Sequence, residues 1–258
     1  MTTYTVTALR AGSFAVPGPE LYWMSNWDDW FDLELVVLLI EGEGVRALVN
    51  TGPPDDLTNL NELFVGAVGE RGLLEVSDDR RVLPALAMRG IGPDEITHVI
   101  VTPFQEYASG GIDRFPNAQV CLSRRGWEHF LTTHSHPHDD RRWMFPEKTL
   151  ASLVTDRWSQ LRLLEDEDEI LPGLRTWFAG THHRASIAIE VDTAVGTVVA
   201  SDAYFHYGNV EDNRILGISE SMYEALATYE RARTTSSHLV PLYDPEVFTR
   251  YPDGLIAK

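Results

Sequence analysis

The run Thr97-His98-Val99-Ile100-Val101-Thr102 constrains this 258-residue chain more than any other segment. It is apolar and β-branched, which predicts a buried strand that must be covered on both faces. The strand leads into Pro103-Phe104-Gln105-Glu106-Tyr107-Ala108-Ser109-Gly110-Gly111 and then Ile112-Asp113-Arg114-Phe115-Pro116-Asn117-Ala118. The fold must therefore be a mixed one, with sheet inside and helices outside.

The rest of the chain fits that demand. Residues 3–9 alternate polar and apolar and predict a strand. Leu35 to Ile40 and Val45 to Val49 flank Glu41-Gly42-Glu43-Gly44, a hairpin signal. From Asp55 onward, Leu57, Leu60, Leu63 and Phe64 have helical spacing. Val82 to Met88 predicts a short helix stopped by Gly90. A strand over 117–122 precedes a helix over Arg124 to Leu131, capped by Ser123. Residues 133–142 read as a loop, and Pro146 opens a helix to about Thr155. Two strands are expected in 161–178 around Leu171-Pro172-Gly173, and a hairpin over 187–200 across 192–196. A helix over 220–233 and a strand over 238–241 follow. With no Pro/Gly/Ser-rich linker and no repeat, the expectation is one domain over residues 1–258.

Charge narrows the partners. Lys and Arg number 21 against 39 Asp and Glu, a net −18. That opposes nucleic acid, which needs a basic face, and an anionic membrane surface. No apolar stretch is long enough to span a bilayer, and no basic-then-apolar leader precedes the first strand. The single Cys121 lies in an apolar run and reads as a buried strand residue, so neither a disulfide nor a cysteine zinc cluster is expected. The expectation is a cytoplasmic protein that meets a small-molecule substrate or ligand, with a homo-oligomer allowed.

Four landmarks resemble the metallo-β-lactamase superfamily, and within it the acyl-homoserine lactonase-like branch. The frame after the buried strand is similar to H-x-H-x-D-H followed by Gly-Gly, but the ligand slots hold Pro103, Gln105, Tyr107 and Ala108. The hairpin ending Val49-Asn50-Thr51-Gly52 resembles an early D-T-G turn, with Asn50 in place of the Asp. The turn Ala179-Gly180-Thr181-His182-His183-Arg184-Ala185-Ser186 places His182 on a metal-histidine slot. The strand ending Ala200-Ser201-Asp202 places Asp202 on the slot of the metal-bridging carboxylate. Leu239-Val240-Pro241-Leu242-Tyr243-Asp244-Pro245 resembles P-G-H-D-P, with Tyr243 in place of the last metal histidine. The resemblance implies a four-layer αββα sandwich of hydrolase ancestry. It also implies that only His182 and Asp202 remain of the inherited ligands. A catalytic zinc takes three protein ligands and a water, so the standard dinuclear site and its metal are not expected.

The expected role is a small-molecule enzyme of metallo-hydrolase ancestry without the standard zinc site; two alternatives stand beside it. His182, Asp202, Glu106, Tyr107 and Tyr243 are the candidate catalytic residues of a metal-free acid–base site, acting on an ester, lactone or related carbonyl. A cyclase, isomerase or lyase reaction would use the same groups. A rebuilt site would hold one zinc, manganese or iron ion on His182 and Asp202, aided by Glu106, His183 or Tyr243. A non-catalytic ligand- or partner-binding protein on the same fold is the other class. In that case His182 and Asp202 are hydrogen-bonded remnants.

Several further features carry weaker signals. Trp23, Trp27 and Trp30 have near-helical spacing, which ordinarily means core. With Phe104 and His183 they are the candidate substrate-binding residues, an aromatic wall beside the cleft. His134-Ser135-His136-Pro137-His138-Asp139-Asp140 is the densest cluster of potential metal ligands, and its plain reading is a solvated loop. Glu165 to Glu169 reads as a solvated acidic turn without calcium-loop spacing. His98, His129 and His238 read as structural, and His206 as within reach of the cleft.

Overall fold

The computed structural model describes residues 2–133 and 141–258. Among them the strands form two sheets. The first joins β1 (Thr5–Pro17), β2 (Trp30–Gly42), β3 (Val45–Val49), β4 (His98–Ile100), β5 (Gln119–Ser123) and β6 (Leu161–Leu164). The second joins β7 (Glu167–Leu171), β8 (Leu174–Phe178), β9 (Ile187–Thr193), β10 (Gly196–Ser201) and β11 (His238–Pro241). The last strand, β12 (Leu255–Ala257), returns to the free edge of β1.

Strand alternation sorts the side chains into layers. Along β2, Leu35, Val37 and Leu39 enter the core beneath the helices, with Phe64, Leu86 and Trp127. Val36, Leu38 and Ile40 point the other way and meet Ile187, Ile189, Val191 and Val198 of the second sheet. Outside that sheet, Trp177 and Val199 pack on Ala225, Tyr229 and Ala232 of the helix Met222–Thr235. The layers run helix, sheet, sheet, helix, as expected. Cys121 is buried between the sheets, and burial pushes its thiol up to about 12.

The hairpin over 41–44 forms with Glu43 and Gly44 both at positive φ, the requirement of a tight two-residue turn. Ser123 caps the helix Arg124–Thr132 by accepting the Gly126 N–H at 3.1 Å. The strands β3 to β6 run parallel, as do β10 and β11, so their carboxyl ends gather on one side. That is where sheet-based folds place their sites.

Some elements depart from the sequence-based expectation. The segment 161–178 holds three strands, and the first of them belongs to the other sheet. The acidic run is half strand: β7 starts at Glu167, and Arg124, Arg125, Arg231 and Arg162 pair with Glu165, Asp166, Glu167 and Asp168. The near-helical tryptophans do not share a helix. A one-turn helix ends at Leu21, and Met24 and Asn26 adopt left-handed φ of 53° and 57°. The His134–Asp140 cluster lies outside the described residues. Among those residues, no helix is long and apolar enough to cross a membrane.

Candidate functional site

The carboxyl ends of β3, β4, β10 and β11 converge on the side chains that the motifs singled out. Asn50 follows β3 at a φ of 65°, a conformation asparagine tolerates. Its Oδ1 accepts the Thr102 N–H at 2.9 Å, and its Nδ2 donates to the Thr102 carbonyl at 2.8 Å. Only an amide serves both contacts, because an ionised aspartate cannot donate. Thr51 fixes the next turn: its hydroxyl accepts the Gly111 N–H at 3.0 Å and donates to the Ala108 carbonyl at 3.1 Å. The glycine pair is required by contact, since a Cβ on Gly110 would lie 2.3 Å from the Pro54 nitrogen.

Asp202 directly follows β10 and is wholly buried. Its Oδ1 accepts from the Thr102 hydroxyl and its Oδ2 from the Ser186 hydroxyl. Burial raises its carboxyl to about 7, against the pull of those two donors. Sequence reading missed Thr102 and Ser186 as partners. Both stand inside the landmark segments, but a hydroxyl there carries no signal of its own.

His182 sits in the turn after β8, behind Thr181 at a φ of 64°. Its Nδ1 lies 3.0 Å from the Ile218 carbonyl oxygen, so Nδ1 carries the proton. Its Nε2 is buried without a hydrogen-bond partner among the described residues. Burial lowers the His182 pKa, which favours the neutral ring. His183 is also buried, and its Nδ1 accepts the Ala185 N–H at 3.1 Å. Helix 124–132 presses on this turn so closely that a Cβ on Gly126 would lie 2.5 Å from the Ala185 Cα.

Tyr107 and Tyr243 meet across the floor. Their hydroxyls are 3.3 Å apart and both side chains are buried. Burial raises both phenols, Tyr243 well above the ordinary range, so both stay neutral. The Tyr243 ring packs edge-on against Phe205 at 4.6 Å, and Phe205 against His182 at 4.9 Å. Phe205 is another residue the motifs did not reveal. The cleft left between Asn50, Gly52, Tyr107, Ala108 and Tyr243 measures about 10 Å³. That is about the space of one water.

The other candidates stand apart. Glu106 accepts from Asn59 Nδ2 at 2.6 Å, and burial raises its carboxyl. Phe104 is wholly buried against Phe145, with ring centroids 5.1 Å apart. Trp23 and Trp27 are exposed, at 52% and 65%. Trp30 lies under the Arg71 guanidinium at 4.5 Å. His206 Nε2 lies 3.3 Å from the Asp32 carbonyl oxygen, and its ring packs edge-on against Phe31. Among the described residues, no three His, Cys, Asp or Glu side chains come together as a metal-binding group.

No protein-family model matches the chain. Among curated proteins it is similar to an N-acyl homoserine lactonase of Bacillus thuringiensis, 25% identical over 177 residues. It is 24% identical over 184 residues to an N-acyl homoserine lactonase of a Bacillus species, covering 70% of this chain and 68% of that one. The B. thuringiensis match covers 67% of this chain, and the chain spans 65% of that relative's length. Among solved structures it resembles an N-acyl homoserine lactone hydrolase with the product N-hexanoyl-L-homoserine bound at its catalytic metal center. The TM-score is 0.79, at 19% identity and 97% coverage of both chains. It also resembles AidC, a dizinc quorum-quenching lactonase, with a TM-score of 0.65 at 11% identity, covering 95% of this chain and 91% of that one. The chain has the αββα fold of these hydrolases.

Proposed function

We propose, from a metallo-β-lactamase fold similar to that of N-acyl homoserine lactonases, that this chain has exchanged metal-dependent lactone hydrolysis for non-catalytic recognition. The donor set carries the reading. Asp202 stands in the slot of a bridging carboxylate, wholly buried, with each oxygen accepting from a hydroxyl of Thr102 or Ser186. The neighbouring phenols of Tyr107 and Tyr243 stay protonated and bond to each other. Among the described residues, Asp202 and His182 Nε2, which has no hydrogen-bond partner, are the inherited donors, two where a catalytic zinc takes three. This donor set does not fit a dinuclear zinc centre. It fits a rebuilt single-ion site with Glu106, which is engaged with Asn59, no better. The ligand class carried over from the relatives is a lactone or related ester.

A second reading keeps catalysis without metal. It is favoured by the His182 tautomer, because Nδ1–H on the Ile218 carbonyl leaves Nε2 as a base. Against it stands the burial of that nitrogen.

Ring opening of N-hexanoyl-homoserine lactone, followed with added zinc and with chelator, tests both. The expected result is no opening above the uncatalysed rate in either condition. Zinc-dependent opening would overturn the proposal. Chelator-insensitive opening abolished by His182→Ala would select the second reading.

A further inference from the structure

The turn between the helix Gly18–Leu21 and β2 presents large apolar side chains outward. Trp23, Met24 and Trp27 are 52%, 59% and 65% exposed, and Ile218, whose N–H bonds to the Glu20 carbonyl, is 43% exposed. Exposing several such groups together is unfavourable for a free surface and marks an interaction site.

The turn is held in place rather than loose. Met24 and Asn26 occupy left-handed φ, which costs free energy at non-glycine positions. A Cβ on Gly18 would lie 2.1 Å from the Asn26 carbonyl oxygen, so the close approach requires glycine. Arg214 bonds to the Asn26 side chain and stacks over the Tyr22 ring at 3.3 Å. The Trp23 N–H bonds to the Ile215 carbonyl at 2.8 Å. A fixed turn loses little entropy on docking.

Charge selects the occupant. Asp28 and Asp29 are exposed beside Trp27; Asp29 accepts from Asn26 Nδ2 at 2.6 Å, and neither carboxylate is ion-paired among the described residues. The chain as a whole carries −18. A second copy would set these acids against their own kind, and an anionic lipid surface would be repelled. We propose that this turn docks a basic amphipathic segment of a partner protein. Its apolar side chains would seat on Trp23, Met24 and Trp27, and its Lys or Arg would face Asp28 and Asp29. The inference stands independently of the fate of the metal chemistry.

A fluorescein-labelled amphipathic Leu/Lys peptide titrated with the protein, read by fluorescence anisotropy, is the test. Saturable binding is expected, weakening with salt. It should weaken at least about tenfold in Trp23→Ser/Trp27→Ser and also in Asp28→Asn/Asp29→Asn. Trp158→Ser, at another exposed tryptophan, should leave it unchanged. Equal binding by the Trp23→Ser/Trp27→Ser variant, equal binding of a Leu/Glu peptide, or no binding would overturn it. So would binding to phosphatidylglycerol vesicles, or a sedimenting dimer that Trp27→Ser dissolves.

Discussion

The phenol of Tyr107 lies 3.3 Å from that of Tyr243, across 136 residues of chain, in slots where the resemblance implies metal ligands. Two neutral hydroxyls satisfy each other there. Both side chains are buried and belong to the core beneath the helices.

Removing one hydroxyl leaves the other buried without its partner. Tyr107→Phe and Tyr243→Phe are each expected to cost about 1–2 kcal/mol in urea unfolding. The double variant should cost less than the sum, because no orphan remains. Strict additivity would mean that the phenols do not interact.

Asn50 serves Thr102 on both sides of its peptide. Asn50→Asp sets a carboxylate against the Thr102 carbonyl, two acceptors face to face. A loss of about 2–3 kcal/mol at neutral pH is expected. It should shrink in acid, where the protonated side chain donates again. An unchanged midpoint at pH 7 would show that the amide is not needed.

Asp202 gives a pH signature. Its folded pKa is raised to about 7, above an unfolded value of about 3.9. A raised value means that its contribution is fully present below pH ~4 and is lost as pH rises through about 7. The buried His182, with its lowered pKa, acts in the opposite direction, so the comparison is with Asp202→Asn. Relative to that variant, the native protein should lose up to about 4 kcal/mol between pH 4 and 8. Parallel curves would contradict the assignment.

Gly126 is the contact point between a helix and the His182 turn. Gly126→Ala puts a methyl 2.5 Å from Ala185 and must move one of them. A cost of about 1–3 kcal/mol is expected from thermal unfolding. A stabilised variant, as helix propensity alone would give, would show that the packing relaxes freely.

Much of this was legible in the residues. The β-branched run at 97–102 and the Gly-Gly after it located a sheet strand and the tight turn that follows it, because periodicity and close packing leave local marks. Asn50 was read as an altered Asp, but which atoms an amide meets depends on Thr102, 52 residues away. Phe205 and the hydroxyls of Thr102 and Ser186 had no motif to announce them. Trp23, Trp27 and Trp30 misled because spacing suggests a helix, while left-handed φ at Met24 and Asn26 breaks it. The strand Leu255–Ala257 is too short to show a period.

The most direct measurement is elemental analysis of the protein after dialysis against excess zinc and removal of free metal. The account predicts no stoichiometric zinc, and no difference between the native chain and Asp202→Asn or His182→Ala. Stoichiometric zinc in the native chain, lost in those two variants, would contradict it.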